Sequence, residues 1–119
     1  MPQRELKLYL WDIRGAGEDI LRFTQGKELA DYLQDAMLRA AVERKFEIIG
    51  EALSQAEHLY PRLRDLVDDS PQIIAFRNRV IHGYSTLDNQ LVWSIVQVYL
   101  QPLLKQVEAL LSETGRLAE

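Results

Sequence analysis

Between Glu28 and Tyr60 the chain has no proline and a single glycine, Gly50. A stretch that long, without turn residues to fold it back on itself, excludes a sheet of short strands over a quarter of the molecule. Its apolar residues recur at three and four rather than at two. The pattern predicts a short helix running into a long one, joined near Gln34-Asp35. Along the longer part Met37, Leu38, Ala41, Val42, Ile48, Ile49, Ala52, Leu53 and Ala56 form a broad apolar face, either core or core plus interface, with Arg39, Glu43, Arg44, Glu47 and Glu51 elsewhere. Pro61 ends it, since proline cannot continue a helical hydrogen-bond ladder.

The same period runs through the rest of the chain. Leu6, Tyr9, Leu10, Ile13, Ala16, Ile20 and Phe23 draw one stripe on a first helix that ends at Gln25-Gly26-Lys27. Gly15 and Gly17 weaken this helix by up to about 1 kcal/mol each, so it depends on packing, and they permit a close neighbour. Ser70-Pro71 reads as a helix start, a capping hydroxyl followed by proline at the first helical position, for a helix from Pro71 to about His82. Gly83 stands where a left-handed C-terminal cap is expected. Asp88 is placed to cap a last helix from Asn89 to about Leu111, and Pro102 inside it predicts a kink or break between Val98 and Gln101.

No Val/Ile/Thr alternation or Asn-Gly hairpin signal appears anywhere. The fold class expected is therefore all-α, an antiparallel bundle of about four to five helices. The 119 residues suit one domain over residues 1–119, its core at about 5–111 and its tail, 112–119, frayed. No cysteine is present, which removes disulfides and thiolate chemistry and fits a reducing compartment. Without an apolar run near 20 residues or a leader-like start, the expectation is a cytoplasmic protein that does not engage membranes. The net charge of −4 excludes nucleic-acid binding through a broad basic face, so any contact with RNA must be local.

One local grouping carries chemistry: Arg77-Asn78-Arg79-Val80-Ile81-His82-Gly83-Tyr84. Internal cleavage of RNA needs a group to take the 2′-OH proton, a group to protonate the leaving oxygen, and positive charge at the non-bridging oxygens. His82 suits either proton transfer. Arg77 suits the third task, its planar fork matching phosphate oxygens and staying charged. Asn78 and Arg79 are candidates for shaping and charging the site. Neither a metal nor another cofactor is required. Five positions on an ideal helix separate Arg77 from His82 by roughly 140° and about 7.5 Å. Either the helix unwinds before His82 or a second copy brings its own group across a two-fold axis, and we favour the homodimer, with Pro71 to Tyr84 in its interface. With ten arginines and two histidines, such a pair arises by chance about one time in six, so the pair alone is a weak motif.

The surrounding residues narrow it. Arg77-Asn78 through His82-Gly83-Tyr84 resembles the R-x4-H-x-Y signature of the HepT-like toxins, a branch of the HEPN superfamily. The similarity extends to Tyr9-Leu10-Trp11-Asp12-Ile13, to Arg44-Lys45-Phe46-Glu47-Ile48-Ile49-Gly50-Glu51-Ala52, and to the segment from Asp88 to Trp93, covering about residues 5 to 110. Lys45 departs from the asparagine common there, and the stretch before Pro71 lacks a Pro-Trp pair. The resemblance implies a HEPN-type bundle, metal-independent RNA cleavage at a dimer cleft with tRNA as the first substrate to consider, and a toxin–antitoxin system. It also implies a minimal nucleotidyltransferase antitoxin that adenylylates Tyr84.

Each residue also has a plainer reading. His82 could be a helix-end cation favoured by the dipole. Arg77 could belong to a surface ion pair, and Tyr84 could pack the turn. His58 reads as surface, and Glu47 and Glu51 as a solvated charge cluster with Arg44 and Lys45. The alternative function is a non-catalytic helical module that binds a nucleotide or a partner.

Overall fold

The first helix, α1, spans Leu6–Thr24 and buries Tyr9, Leu10, Ile13, Ala16 and Ile20, the stripe that its sequence draws. It stops where Gly26 takes a φ of +73°, a conformation that side chains with a Cβ rarely adopt. The computed structural model describes residues 5–67, 70–81 and 88–117, with residues 79–81 and 114–117 as backbone only.

Asp35 makes the join between α2, Leu29–Gln34, and α3, Ala36–Leu59. Its extended backbone breaks the ladder, and its side chain accepts a hydrogen bond from the Leu38 N–H at 3.0 Å, starting the next helix. In α2, Tyr32 is fully buried with its ring 5.3 Å from that of Trp93. Burial pushes its phenol far above the ordinary range, and its hydroxyl has no partner among the described residues.

The long helix α3 lies against α1 on one side and α5, Ser70–Ile81, on another. Leu38, Val42, Ile49, Ala52, Leu53 and Ala56 are buried as expected. Met37 is not: in the first turn it is 82% exposed. Phe46, which falls among charged residues in the sequence, is buried instead, its ring 5.2 Å from Phe76 of α5 in an edge-to-face contact.

A four-residue helix, α4, at Leu63–Leu66 follows Pro61 and buries Leu63. Next comes α5, Ser70–Ile81. Asp88 caps α6, Asn89–Val98, accepting from the N–H groups of Gln90 at 2.9 Å and Leu91 at 3.3 Å. The break before Pro102 falls at Tyr99, and α7 runs from Leu100 to Leu117. Its helix outlasts its apolar stripe: Leu110 is buried and Ser112 exposed, yet the backbone stays helical past the expected end at Leu111. Among the described residues the fold is an all-α, HEPN-type bundle of seven helices. The count exceeds four to five because α4 is a further short connector and the last expected helix is divided. No described helix is long and apolar enough to cross a membrane.

Candidate active site

The chain direction of α5 is opposite to that of α3, and three contacts fix their register. Ser70, fully buried at the start of α5, donates its hydroxyl to the Glu57 carboxylate. Phe76 meets Phe46, and Arg77 lies across Gly50 with its guanidinium on Glu51. Seven residues along α5 correspond to seven back along α3, two turns on each helix, so the same faces meet twice. Ser70 thus ties α5 to α3, a task beyond the capping role that its position suggests.

Gly50 is the reason an arginine can enter this crossing. A Cβ added at residue 50 would lie 2.2 Å from the Arg77 Cβ and 2.5 Å from its Cγ, so only glycine lets the arginine stem rest on the α3 backbone. The Arg77 side chain is left 20% exposed. A cation so enclosed needs partners. Nη2 donates to Glu51 Oε2, and Nη1 donates to Asn78 Oδ1 at 2.9 Å. Nε is buried and has no hydrogen-bond partner among the described residues. Glu51 is held in turn, because its other oxygen accepts from Gln55 Nε2 at 2.6 Å. A chain of polar contacts thus runs Gln55, Glu51, Arg77, Asn78, and each terminal guanidinium nitrogen keeps a second hydrogen for another acceptor.

Of the sequence candidates, the structure brings together Arg77 and Asn78. His82, Gly83 and Tyr84 lie outside the described residues, as does the Arg79 side chain. The charge cluster expected around Glu47 and Glu51 divides three ways. Glu47 pairs with Arg44 at 3.5 Å. Lys45 leaves the site altogether, its ammonium 2.9 Å from Asp19 on α1, where it holds that carboxyl below its ordinary range. Glu51 turns to Arg77. His58 is exposed, as expected. Glu51 was missed because its partner lies 26 residues along the chain, whereas the charges near it in sequence suggested local pairing. Gly50 was the available signal: a lone glycine in a long helix marks a close approach.

Among the described residues no three His, Asp or Glu side chains gather as metal ligands. Away from the Arg77 side chain, α5 and α6 border an apolar groove of about 290 Å³ lined by Ile73, Ala75, Phe76, Leu91, Ile95 and neighbours.

The chain matches the ribonuclease HepT-like family over residues 13–110. It is 32% identical over 110 residues to "Putative RNase MJ1380" of Methanocaldococcus jannaschii, covering 91% of this chain and 98% of that one. It is likewise 32% identical over 108 residues to "Probable ribonuclease HepT" of Thermococcus cleftensis, covering 91% of this chain and 97% of the relative. A third relative, "Putative RNase TTE0752" of Caldanaerobacter subterraneus, is 28% identical over 107 residues, 88% of this chain and 93% of its own. No solved structure shows a significant match.

Proposed function

Because the chain belongs to the ribonuclease HepT-like family, we propose that it is the toxin of a toxin–antitoxin pair, a homodimeric ribonuclease that cleaves cellular RNA without a metal ion. The observation that carries this reading is the Arg77 guanidinium, gripped through Glu51 and Asn78 with a hydrogen to spare on each terminal nitrogen, five residues before His82. A charge held still before substrate arrives stabilises a transition state without reorganising.

In this mechanism the 2′-oxygen attacks the adjacent phosphorus and the bond to the 5′-oxygen breaks. One group removes the 2′-OH proton and another supplies a proton to the leaving oxygen. His82 performs one of these transfers. Arg77 faces the non-bridging oxygens, where negative charge grows. The homodimer brings His82 to Arg77 across the two-fold axis, and the apolar groove on α5 supplies surface for such a contact. Transfer RNA is the first substrate to test.

The antitoxin is a minimal nucleotidyltransferase, and Tyr84 is its target. An adenylyl group there sets a phosphodiester charge and a bulky nucleoside beside Arg77, occupying the place of a substrate phosphate, so modification inhibits.

Growth arrest on induction, relieved by His82→Ala or Arg77→Ala and by the co-expressed nucleotidyltransferase, is the expected result. The purified chain should sediment as a dimer and cut RNA in excess EDTA. Incubation with the nucleotidyltransferase and ATP should add one adenylyl mass to Tyr84 and stop cleavage, and Tyr84→Phe should escape the modification. A chain that neither arrests growth nor cuts RNA, yet binds a nucleotide or partner, is instead a binding module. Cleavage that EDTA abolishes and a divalent ion restores overturns metal independence.

A further inference from the structure

We propose that Glu51 is a positioning residue for the Arg77 guanidinium: together with Gly50 it makes α3 a seat that fixes where the phosphate-binding charge points. The proposal deepens the ribonuclease reading and rests on it for the role of Arg77. Three observations converge. The stem of Arg77 lies on bare backbone at Gly50, which limits its sideways freedom. Its Nη2 is held by Glu51 Oε2, while Gln55 holds Glu51 through Oε1. The neighbouring charges of α3 are committed elsewhere, Glu47 to Arg44 and Lys45 to Asp19, so among the described residues Glu51 is the carboxylate that meets Arg77.

The carboxylate has an opposing effect too. It attracts the same cation that a substrate phosphate must attract, so it weakens ground-state binding while holding the guanidinium in one orientation. An arginine without it would still draw in phosphate, but its fork would spread over several rotamers and seldom match the oxygens as charge develops. Loss of Glu51 therefore acts on kcat and spares KM, or lowers it. Glu51 is 46% exposed, so its removal leaves no buried void to unfold the bundle.

The experiment compares the full chain with Glu51→Ala, Glu51→Asp and Glu51→Gln. Single-strand RNA cleavage gives kcat and KM. Nitrogen-15 spectra of the arginine side chains, with the Arg77 Nε–H assigned through Arg77→Lys, give its hydrogen-exchange rate. Glu51→Ala should keep the thermal midpoint within a few degrees, speed exchange at Arg77 Nε–H at least tenfold, and lower kcat ten- to a hundredfold with KM unchanged or reduced. Glu51→Asp, one methylene short of its partner, should follow Ala. Glu51→Gln keeps an oxygen that can accept from Nη2 and should recover kcat to within a few-fold. Wild-type kcat in Glu51→Ala or Glu51→Asp, or Arg77 exchange unmoved by either, overturns the proposal. If the unmodified chain cuts no RNA, the ribonuclease reading fails while the exchange rates still decide whether Glu51 holds Arg77.

Discussion

At Gly17 the backbone of α1 meets the side-chain end of Leu104 from α7; at Gly50 the backbone of α3 meets the stem of Arg77 from α5. Both crossings use a glycine to bring a neighbour close, yet they hold different things. The first receives a branched apolar tip, which can turn to another rotamer. The second receives Cβ and Cγ of a charged residue, atoms bound tightly to the backbone of their own helix. Only at the second crossing does the neighbour lead to a grip of carboxylate and amide on a cation. One close approach builds core, the other aims a functional group, and substitutions should separate them.

The largest effect expected is at Phe46, which supports the α3–α5 crossing through its edge-to-face contact with Phe76. Phe46→Ala removes a fully buried ring and leaves a cavity, a change that costs about 3–5 kcal/mol in protein cores. Calorimetry should show the midpoint lowered by roughly 10–20 °C. A loss under about 1 kcal/mol would mean that the crossing closes up without the ring.

Second in size is Gly50→Ala. Its new methyl cannot be accommodated by a rotamer, because the obstructing atom is the Arg77 Cβ; α5 itself must move. Overpacking of this kind costs about 1–3 kcal/mol, and the displaced guanidinium should lower RNA cleavage tenfold or more. Gly17→Ala is the contrast. There Leu104 gives way, and up to about 1 kcal/mol of gained helix propensity offsets the crowding, so the net change should stay within about 1 kcal/mol with cleavage intact. Gly15, with nothing within 4 Å of an added Cβ, completes the set, and Gly15→Ala should stabilise by up to about 1 kcal/mol. Equal costs at residues 17 and 50 would erase the distinction between the crossings.

The same distinction explains what could be read in advance. Local physics was legible: the α1 stripe, the Asp35 join, the Asp88 cap and the break at Tyr99 each follow from neighbouring residues. Gly15 and Gly17 alike suggest a close neighbour; Gly17 has one in Leu104, whereas Gly15 faces open space. Phe46 was passed over because α3 packs against both α1 and α5, which widens its buried arc beyond one stripe. Met37 fits the spacing of the apolar face, yet the burial of that face does not reach it. The four residues of α4 are too few to show a period. At the site, Arg77 was read from residue type and motif, but the partner that holds it was not. Pairing between Glu51 and Arg77 depends on the register of two antiparallel helices, set by the contacts of Ser70 with Glu57 and of Phe76 with Phe46, pairs whose members lie far apart in sequence.

The smallest effect expected belongs to two carboxyls away from both glycine crossings, and its value lies in its sign. Hydrogen bonding to Lys45 holds Asp19 below its ordinary 3.8, whereas burial raises Glu43 above its ordinary 4.5 in spite of Arg39 nearby. A carboxyl depressed by folding binds fewer protons in the native state than in the unfolded chain. Its contribution is therefore present above about pH 3.8 and lost as pH falls through the lower folded value. A raised carboxyl does the reverse, contributing fully below about pH 4.5 and losing that contribution as pH rises through the higher folded value. Thermal midpoints measured from pH 2.5 to 7 should show Lys45→Met below the unsubstituted chain at pH 6, with the gap closing toward pH 3. Salt should narrow the gap at pH 6, because the pair is partly exposed. Glu43→Gln should show the opposite profile, a gain that grows as pH rises above about 4.5 and is complete once Glu43 is ionised in the folded chain. Neither substitution should change RNA cleavage, since Lys45 points to α1 and Glu43 faces Tyr32 and Arg39. Impaired cleavage in Lys45→Met, with its midpoint equal to that of the unsubstituted chain at pH 6, would mean that Lys45 serves the site after all and that the Asp19 contact is the weaker of its two uses.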